Sequence, residues 1–290
     1  MSAHPHQIHP TAVVHPSAII HPSALVAEGC VIDAGAVVGP ACVIGPRTRL
    51  RAHSVVVEHT SIGSDNDVHS FASLGGDPQD RAFKGDVRGE LIVGDRNIFR
   101  EGVTLSRATQ NGPPTRIGHD NYFMAQSHVG HNCQVGDRNT IANNSVLAGH
   151  VRFGNGCVLS AFCAVHQFTN VGDGVMFQGG AMMSMHVPPY LLVTGISTIA
   201  GINKVGMKRN PALNDADRLH IKELVRAMFR DRGAAPMLAT AEGLLASREW
   251  GAAGTSFLGF IVQALNETGP RARGVCGMIT HARGEPAGVE

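Results

Sequence analysis

Four histidines, His128, His131, His150 and His166, fall within the stretch HVGHNCQVGDRNTIANNSVLAGHVRFGNGCVLSAFCAVHQF, residues 128–168. Imidazole titrates near pH 6.5, so a neutral ring can accept a proton from a hydroxyl while a partner fixes its second nitrogen. Three imidazoles can also hold a zinc ion. A lone histidine on a regular scaffold is an ordinary turn residue, and His15, His21, His53 and His59 read that way. Either chemistry needs the rings to converge, which depends on the elements beneath them.

Those elements follow a six-residue repeat. Aliphatic or aromatic residues recur from Ile8 through Val14, Ile20, Val26, Ile32, Val38, Ile44, Leu50, Val56, Ile62 and Val68 to Leu74, then at Val93, Phe99 and Leu105, and from Ile117 to Phe177 without a slip. Six is a multiple of the strand period of two and not of the helical 3.6, so each repeat returns its apolar residue to one face. A small residue precedes most of them by two positions, as at Ala24, Cys30, Ala36, Cys42, Cys133, Cys157 and Cys163. Large and small inward residues in alternation suit a narrow prism, with Gly, Asn, Asp and His-Pro pairs at its corners. The pattern predicts a mainly β protein, a hexapeptide-repeat parallel β-helix with about 18 residues per coil.

Counting by eighteens, Val129, Leu147 and Val165 stack. His131, His150 and His166 follow them by two, three and one residues, so the rings gather on one edge, with His128 just before the same corner. The frame breaks at residues 75–92 and again at 106–116. Both segments are polar and rich in Gly and Pro, and read as excursion loops, where binding groups collect; the second has the length of two hexads and reads alternatively as a degenerate coil.

The net charge of +1 excludes a general nucleic-acid or membrane-surface binder. No run approaches the roughly 20 apolar residues of a membrane span, and no leader is evident, so the expectation is a soluble cytoplasmic protein. Six cysteines without a CxxC pair are expected to stay reduced. After Val187-Pro188-Pro189 the pattern becomes helical: 213–233 with Asn214 as N-cap, then 236–250 and 256–265. The expected organisation is a β-helix over 1–191, a small C-terminal α-helical domain over 192–266, and a disordered Gly/Arg/Pro-rich tail over 267–290. From Lys204 to Arg232 eight Lys/Arg face four Asp/Glu, a basic surplus suited to an acidic partner.

HVGHNCQVG, IANNSVLAGHV, AVHQF and VPPYLLVTG, with the earlier FASLGGDPQD and VGDRNIFREGVTL and the later GINKVGMKR, resemble the cytoplasmic UDP-N-acetylglucosamine acyltransferases that begin lipid A synthesis. The resemblance runs in order from about residue 8 to about residue 230. It implies a left-handed β-helix, a homotrimer with sites between subunits, and transfer of a 3-hydroxyacyl chain from acyl carrier protein to the 3-hydroxyl of UDP-N-acetylglucosamine, without metal or cofactor. By the same resemblance His131 is the general base and the Gly149 backbone N–H the oxyanion donor. Asp80, His128, His150, His166 and Gln167 match contacts to the sugar nucleotide, with Gln79 beside them in the covering loop. Asn203 and Arg209 match residues that hold the uridine and phosphate ends. Gly179 matches the position that limits acyl length and, lacking a side chain, is expected to admit a longer chain.

Departures from the family pattern are Asn132 in place of an Asp after the base, Ser106 in place of a histidine, Ala82 in place of a lysine, and Ser160-Ala161 in place of a Gly pair. They leave open a divergent β-helix acyltransferase that acts on a 3-amino sugar nucleotide or uses coenzyme A. A zinc carbonic-anhydrase-like β-helix and a purely structural β-helix are the remaining alternatives.

Overall fold

A computed structural model describes residues 8–85, 87–110 and 113–278. Residues 1–7 of the expected first domain and 279–290 of the expected tail lie outside the described residues. Each hexad contributes a strand of mostly two residues, such as Val37–Val38 or Val146–Leu147. Among the described residues, successive strands pass in turn to three sheets of twelve, nine and eight strands, parallel except at one hairpin of the first, which form the sides of a triangular prism. Val129 pairs with Leu147 and Leu147 with Val165, the 18-residue register expected from the repeat.

The recurring apolar residues form the prism core, with Leu50, Val56, Val68, Leu74, Leu105, Ile141 and Leu147 fully buried. Each such side chain contributes about 1.5–3 kcal/mol before conformational entropy is subtracted. All six cysteines are free and buried, five of them in the small inward slot of the repeat and Cys276 in the C-terminal arm. Phe99 and Phe123 stack in the interior with centroids 5.1 Å apart. Up one corner runs a ladder of buried amides. Asn97 N–H donates to Asn66 Oδ1, Asn121 N–H to Asn97 Oδ1, and Asn139 N–H to Asn121 Oδ1, each at 2.9 Å.

Both excursions leave the corner between the nine- and eight-stranded sheets. Leu91 pairs with Thr60, 31 positions back, so thirteen residues are inserted in that coil; Thr115 pairs with Leu91, 24 positions back, so six are inserted in the next. The second break is therefore a loop between Thr104–Ser106 and Thr115–Ile117, and the degenerate-coil alternative falls away.

The region expected to be helical from residue 192 begins with a β-hairpin. Leu191–Thr194 extends the twelve-stranded sheet and pairs antiparallel with Thr198–Ile202. Among the described residues four α-helices follow: α1 Lys204–Arg209, α2 Asp215–Phe229, α3 Met237–Ser247 and α4 Gly251–Asn266. Asn214 caps α2 with a full capping box, its side chain accepting from Asp217 N–H while Asp217 reaches back to the Asn214 N–H. Helix α4 buries Phe257, Leu258 and Ile261. It crosses α2 closely at Gly254, where a Cβ would sit 2.8 Å from Trp250 Cβ and 3.3 Å from Leu224 Cδ1.

The expected tail also needs correcting over 267–278. A short 3-10 turn at Gly269–Arg271 leads to Gly277–Met278, which pairs in parallel with Thr198–Ile202. Val275 is 7 % exposed and Cys276 fully buried, so this segment docks on the prism through apolar contacts its composition hides.

Candidate active site

Three corners of successive coils build the edge where the two loops emerge: Gly130-His131-Asn132-Cys133, Ala148-Gly149-His150-Val151 and His166-Gln167-Phe168-Thr169. The third residue of each lies in the left-handed backbone region, with φ of 57° at Asn132, 61° at His150 and 65° at Phe168. Turning the chain so sharply forces that conformation, which asparagine tolerates better than most side chains. The third residue then donates its N–H to the second residue of the coil before it: His150 to His131 O at 2.9 Å, and Phe168 to Gly149 O at 3.1 Å. The second residue's own N–H is left over. At Gly149 that amide has no protein partner among the described residues.

The imidazole of His131 packs on this glycine. A Cβ at position 149 would lie 2.7 Å from both Nε2 and Cε1 of His131, so only glycine lets the ring sit there. On its other side, His131 Nδ1 is 3.0 Å from Asn132 Oδ1. That oxygen also accepts from Thr109 N–H at 3.1 Å and Thr109 Oγ1 at 3.0 Å, while Asn132 Nδ2 donates to Pro113 O at 3.3 Å. The Asn132 backbone N–H donates to Thr115 Oγ1 at 2.7 Å. An oxygen acceptor at Nδ1 puts the imidazole proton on Nδ1, leaving the Nε2 lone pair directed to the side of Gly149. These partners also explain Asn132: its amide donates to the Pro113 carbonyl, where an aspartate would bring oxygen against oxygen.

Around the base, His150 meets His131 edge to face at 5.1 Å and stacks on Phe168 at 4.6 Å. Burial lowers the pKa of His150 first, and the nearby His131 and Arg271 charges lower it further, against the opposing influence of Asp80. Asp80 thus acts electrostatically on the same edge, from an exposed turn where its carboxylate accepts from Ala82 N–H at 2.9 Å. His128 shares a 2.7 Å hydrogen bond with Thr104 Oγ1, and burial holds its pKa below the usual histidine value. His166 and Gln167 are exposed in the third corner, and Gln79 is exposed beside Asp80.

The first loop is fastened by a residue that pattern reading missed. Arg107, 1 % exposed, lies 2.6 Å from Glu58 Oε1 and 2.9 Å from Asp77 Oδ1, and donates to Val87 O at 2.6 Å. Its guanidinium also faces the Phe83 ring at 5.1 Å. Thr109, Pro113 and Thr115 were missed likewise. A lone arginine and two threonines in an insertion have no periodicity to mark them.

Within one chain the remaining expected residues lie elsewhere. Gly179 follows Met176–Phe177 at the edge between the twelve- and nine-stranded sheets, where a Cβ would lie 3.7 Å from Ala161 O. Ser160-Ala161 belong to that same edge. Asn203 is the N-cap of α1, accepting from Gly206 N–H at 2.9 Å and donating to Gly174 O at 2.9 Å. Arg209 ends α1 and, with Lys204, Val205 and Lys208, lines a basic groove of about 530 Å³. A separate cavity of about 390 Å³ between α4 and the eight-stranded sheet holds none of the expected site residues. Among the described residues no three His, Cys, Asp or Glu side chains are grouped to hold a metal ion.

Comparison with known proteins bears on the family and the fold. A family profile described as bacterial transferase hexapeptide (six repeats) matches residues 23–58 and 114–149. Another, Udp N-acetylglucosamine O-acyltransferase, Domain 2, matches residues 186–276. The chain is 42% identical over 171 residues to an acyl-(acyl-carrier-protein)–UDP-N-acetylglucosamine O-acyltransferase of Stenotrophomonas maltophilia (strain K279a), covering 58% of this chain and 64% of that protein, less than two thirds of its length. An Anaeromyxobacter sp. (strain Fw109-5) protein of the same name is 42% identical over 199 residues, 66% of this chain and 74% of that protein. In structure the chain is similar to a UDP-N-acetylglucosamine acyltransferase from Campylobacter jejuni, with TM-score 0.82, 29% identity and coverage of 91% and 99% of the two chains. A UDP-N-acetylglucosamine O-acyltransferase from Moraxella catarrhalis aligns with TM-score 0.69 and 30% identity over 95% of this chain and 100% of that one.

Proposed function

Since the chain belongs to the UDP-N-acetylglucosamine O-acyltransferase family, with its left-handed β-helix and helical C-terminal part, we propose that it transfers a 3-hydroxyacyl chain from acyl carrier protein to the 3-hydroxyl of UDP-N-acetylglucosamine, the first step of lipid A biosynthesis. The observation that carries this reading is the packing of His131 Nε2 against Gly149, whose N–H has no protein partner. A base and an oxyanion donor side by side are what acyl transfer to a hydroxyl requires.

In the proposed reaction Nε2 takes the proton of the sugar hydroxyl as its oxygen attacks the thioester carbonyl and the C–O bond forms. The Gly149 N–H donates to the oxyanion of the tetrahedral intermediate. As the C–S bond breaks, the imidazolium returns its proton to the departing thiolate, giving an ester and a free thiol. Asn132 and the second loop hold the ring in the tautomer this needs. Asp80, Gln79, His128, His150, His166 and Gln167 contact the acceptor.

Gly179, Asn203 and Arg209 lie away from His131 within one chain, which supports a homotrimer whose sites combine edges of neighbouring subunits. Exposed Ile19, Met182, Leu25 and Val43 give the prism faces apolar surface for such contacts. Sedimentation at the 30.5 kDa of one chain would exclude this assembly. Lys204 and Lys208 on α1 suit the acidic carrier protein, and the free, buried cysteines suit the cytoplasm. Among the described residues no helix is long and apolar enough to cross a membrane.

The test is acyl transfer from 3-hydroxyacyl carrier protein to UDP-N-acetylglucosamine by wild type and His131→Ala. The variant is expected to lose about 10²–10⁴ in kcat. Absence of product from the wild type, or full rate in the variant, rejects the reading. A product stable to mild alkali identifies an amide, and hence a 3-amino sugar acceptor.

A further inference from the structure

The segment read as a tail carries two guanidiniums to the edge that holds His131. It is anchored by His186, which is fully buried. His186 Nδ1 accepts from Asn170 N–H at 2.9 Å, so its Nε2 bears the proton and donates to Arg271 O at 2.8 Å. The backbone is held as well, by His186 N–H to Gly274 O at 2.8 Å and Cys276 N–H to His186 O at 3.0 Å.

Arg271 spans two corners of the site. It donates to His150 O at 3.0 Å, Phe168 O at 3.4 Å and Asn170 Oδ1 at 3.1 Å. Its guanidinium also lies 5.8 Å from the centroid of the Phe168 ring that stacks on His150. Arg273 meets His166 Nδ1 with a guanidinium nitrogen, and its Nε is shielded from solvent without a hydrogen-bond partner among the described residues. No carboxylate forms an ion pair with either arginine among the described residues, although Glu267 nearby is paired with Arg152 at 3.0 Å. A guanidinium whose neighbours are an imidazole and backbone is under-neutralised, and its planar fork matches a phosphate.

The corner of Arg273 and His166 stands two coils from that of His131, on the order of 10 Å. A nucleotide sugar bears its diphosphate on C1, two carbons from the 3-hydroxyl, and so reaches that corner while the hydroxyl sits at the base. The phosphodiester of a carrier protein lies a whole pantetheine arm away from its thioester and does not. We propose that Arg273 binds the diphosphate of the acceptor beside His166, with Arg271 as the positioning residue that fixes the Gly149-His150 corner and the arm together. This inference rests on the acceptor reading given above.

Two measurements separate the inference from that reading. Calorimetric titration with inorganic pyrophosphate needs no turnover, and Arg273→Gln is expected to weaken binding about tenfold or more, with partial recovery in Arg273→Lys. Arg47→Gln, which removes a distant exposed partner of Asp65, serves as a charge control and should bind as wild type does. In steady-state assays the KM of Arg273→Gln for UDP-N-acetylglucosamine should rise by a similar factor, with that for the carrier protein unmoved. Arg271→Lys keeps the charge but not the fork, and its loss should fall on kcat instead of KM.

Pyrophosphate affinity within twofold of wild type in Arg273→Gln overturns the site. A rise confined to the carrier-protein KM overturns its assignment to the acceptor, and an unchanged kcat in Arg271→Lys overturns the positioning role. If wild type binds pyrophosphate through Arg273 but does not acylate UDP-N-acetylglucosamine, the acceptor reading fails and the phosphate site stands.

Discussion

The edge between the nine- and eight-stranded sheets turns through four-residue corners near the N-terminus and again around His131, and the two regions differ at the amide of the second residue. The lower corners are His21-Pro22-Ser23-Ala24 and Gly39-Pro40-Ala41-Cys42; the upper ones place His131 and Gly149 where those prolines stand. Every such corner leaves the amide of its second residue without a partner in the coil. Proline removes that amide, having no N–H. The lower edge sends the third residue's N–H to a side chain instead of a carbonyl, Ala41 N–H to Ser23 Oγ at 2.9 Å, and leaves no donor at the proline. The upper edge keeps the donor at Gly149 and sets an imidazole beside it. An oxyanion site therefore needs no distortion of the repeat, only the absence of proline and of a Cβ at one position.

The strongest way to break this contrast is Gly149→Ala. Its Cβ would meet His131 ring atoms at 2.7 Å, displacing the base and crowding the N–H. We expect kcat to fall by about 10²–10³, with Tm nearly unchanged. A kcat within threefold of wild type would mean that the packing does not matter to catalysis.

A smaller effect distinguishes the upper edge by pH. Burial lowers the pKa values of His128, His150 and His186 from their ordinary 6.5. The unfolded chain therefore binds protons at these positions before the folded one does. Their contribution to stability is complete above that value and is lost as pH falls through it toward the depressed folded values. Calorimetric Tm should drop between about pH 7 and about pH 5, and His186→Gln should shallow the slope. Identical slopes would remove His186 from the account.

The smallest effect belongs to the lower edge. Pro40→Ala restores an amide where none is used, and should lower stability by only about 0.5–1 kcal/mol through the unfolded chain. Acyl transfer should proceed at the wild-type rate. A slower rate would show that the two ends of the edge communicate.

The prism was legible because its signal is periodic: every sixth residue is apolar, and the 18-residue count set His131, His150 and His166 on one edge, while Gly149 was marked only by the family resemblance. What escaped has no period. Arg107 earns its buried place through Glu58 and Asp77, distant in sequence, and Asn132 is chosen by Thr109 and Pro113 in an irregular loop. The arm over 267–278 looked disordered because Gly, Arg and Pro dominate it, while the contacts that order it come from His186 and Thr198–Ile202 far upstream. The hairpin at Leu191–Thr194 was hidden in an apolar run that strand and helix share.

The column of buried asparagines has a consequence for how such a molecule can change. Its bonds join Asn66 to Asn97 across one insertion and Asn97 to Asn121 across the other, then Asn121 to Asn139 across an uninterrupted coil, all at 2.9 Å. The interior is thus blind to the length of chain spooled outside it. It behaves as a splint that holds coil to coil while the outer loops are lengthened, trimmed or rewritten, so the part of the protein that meets substrate can drift without asking the part that keeps it upright.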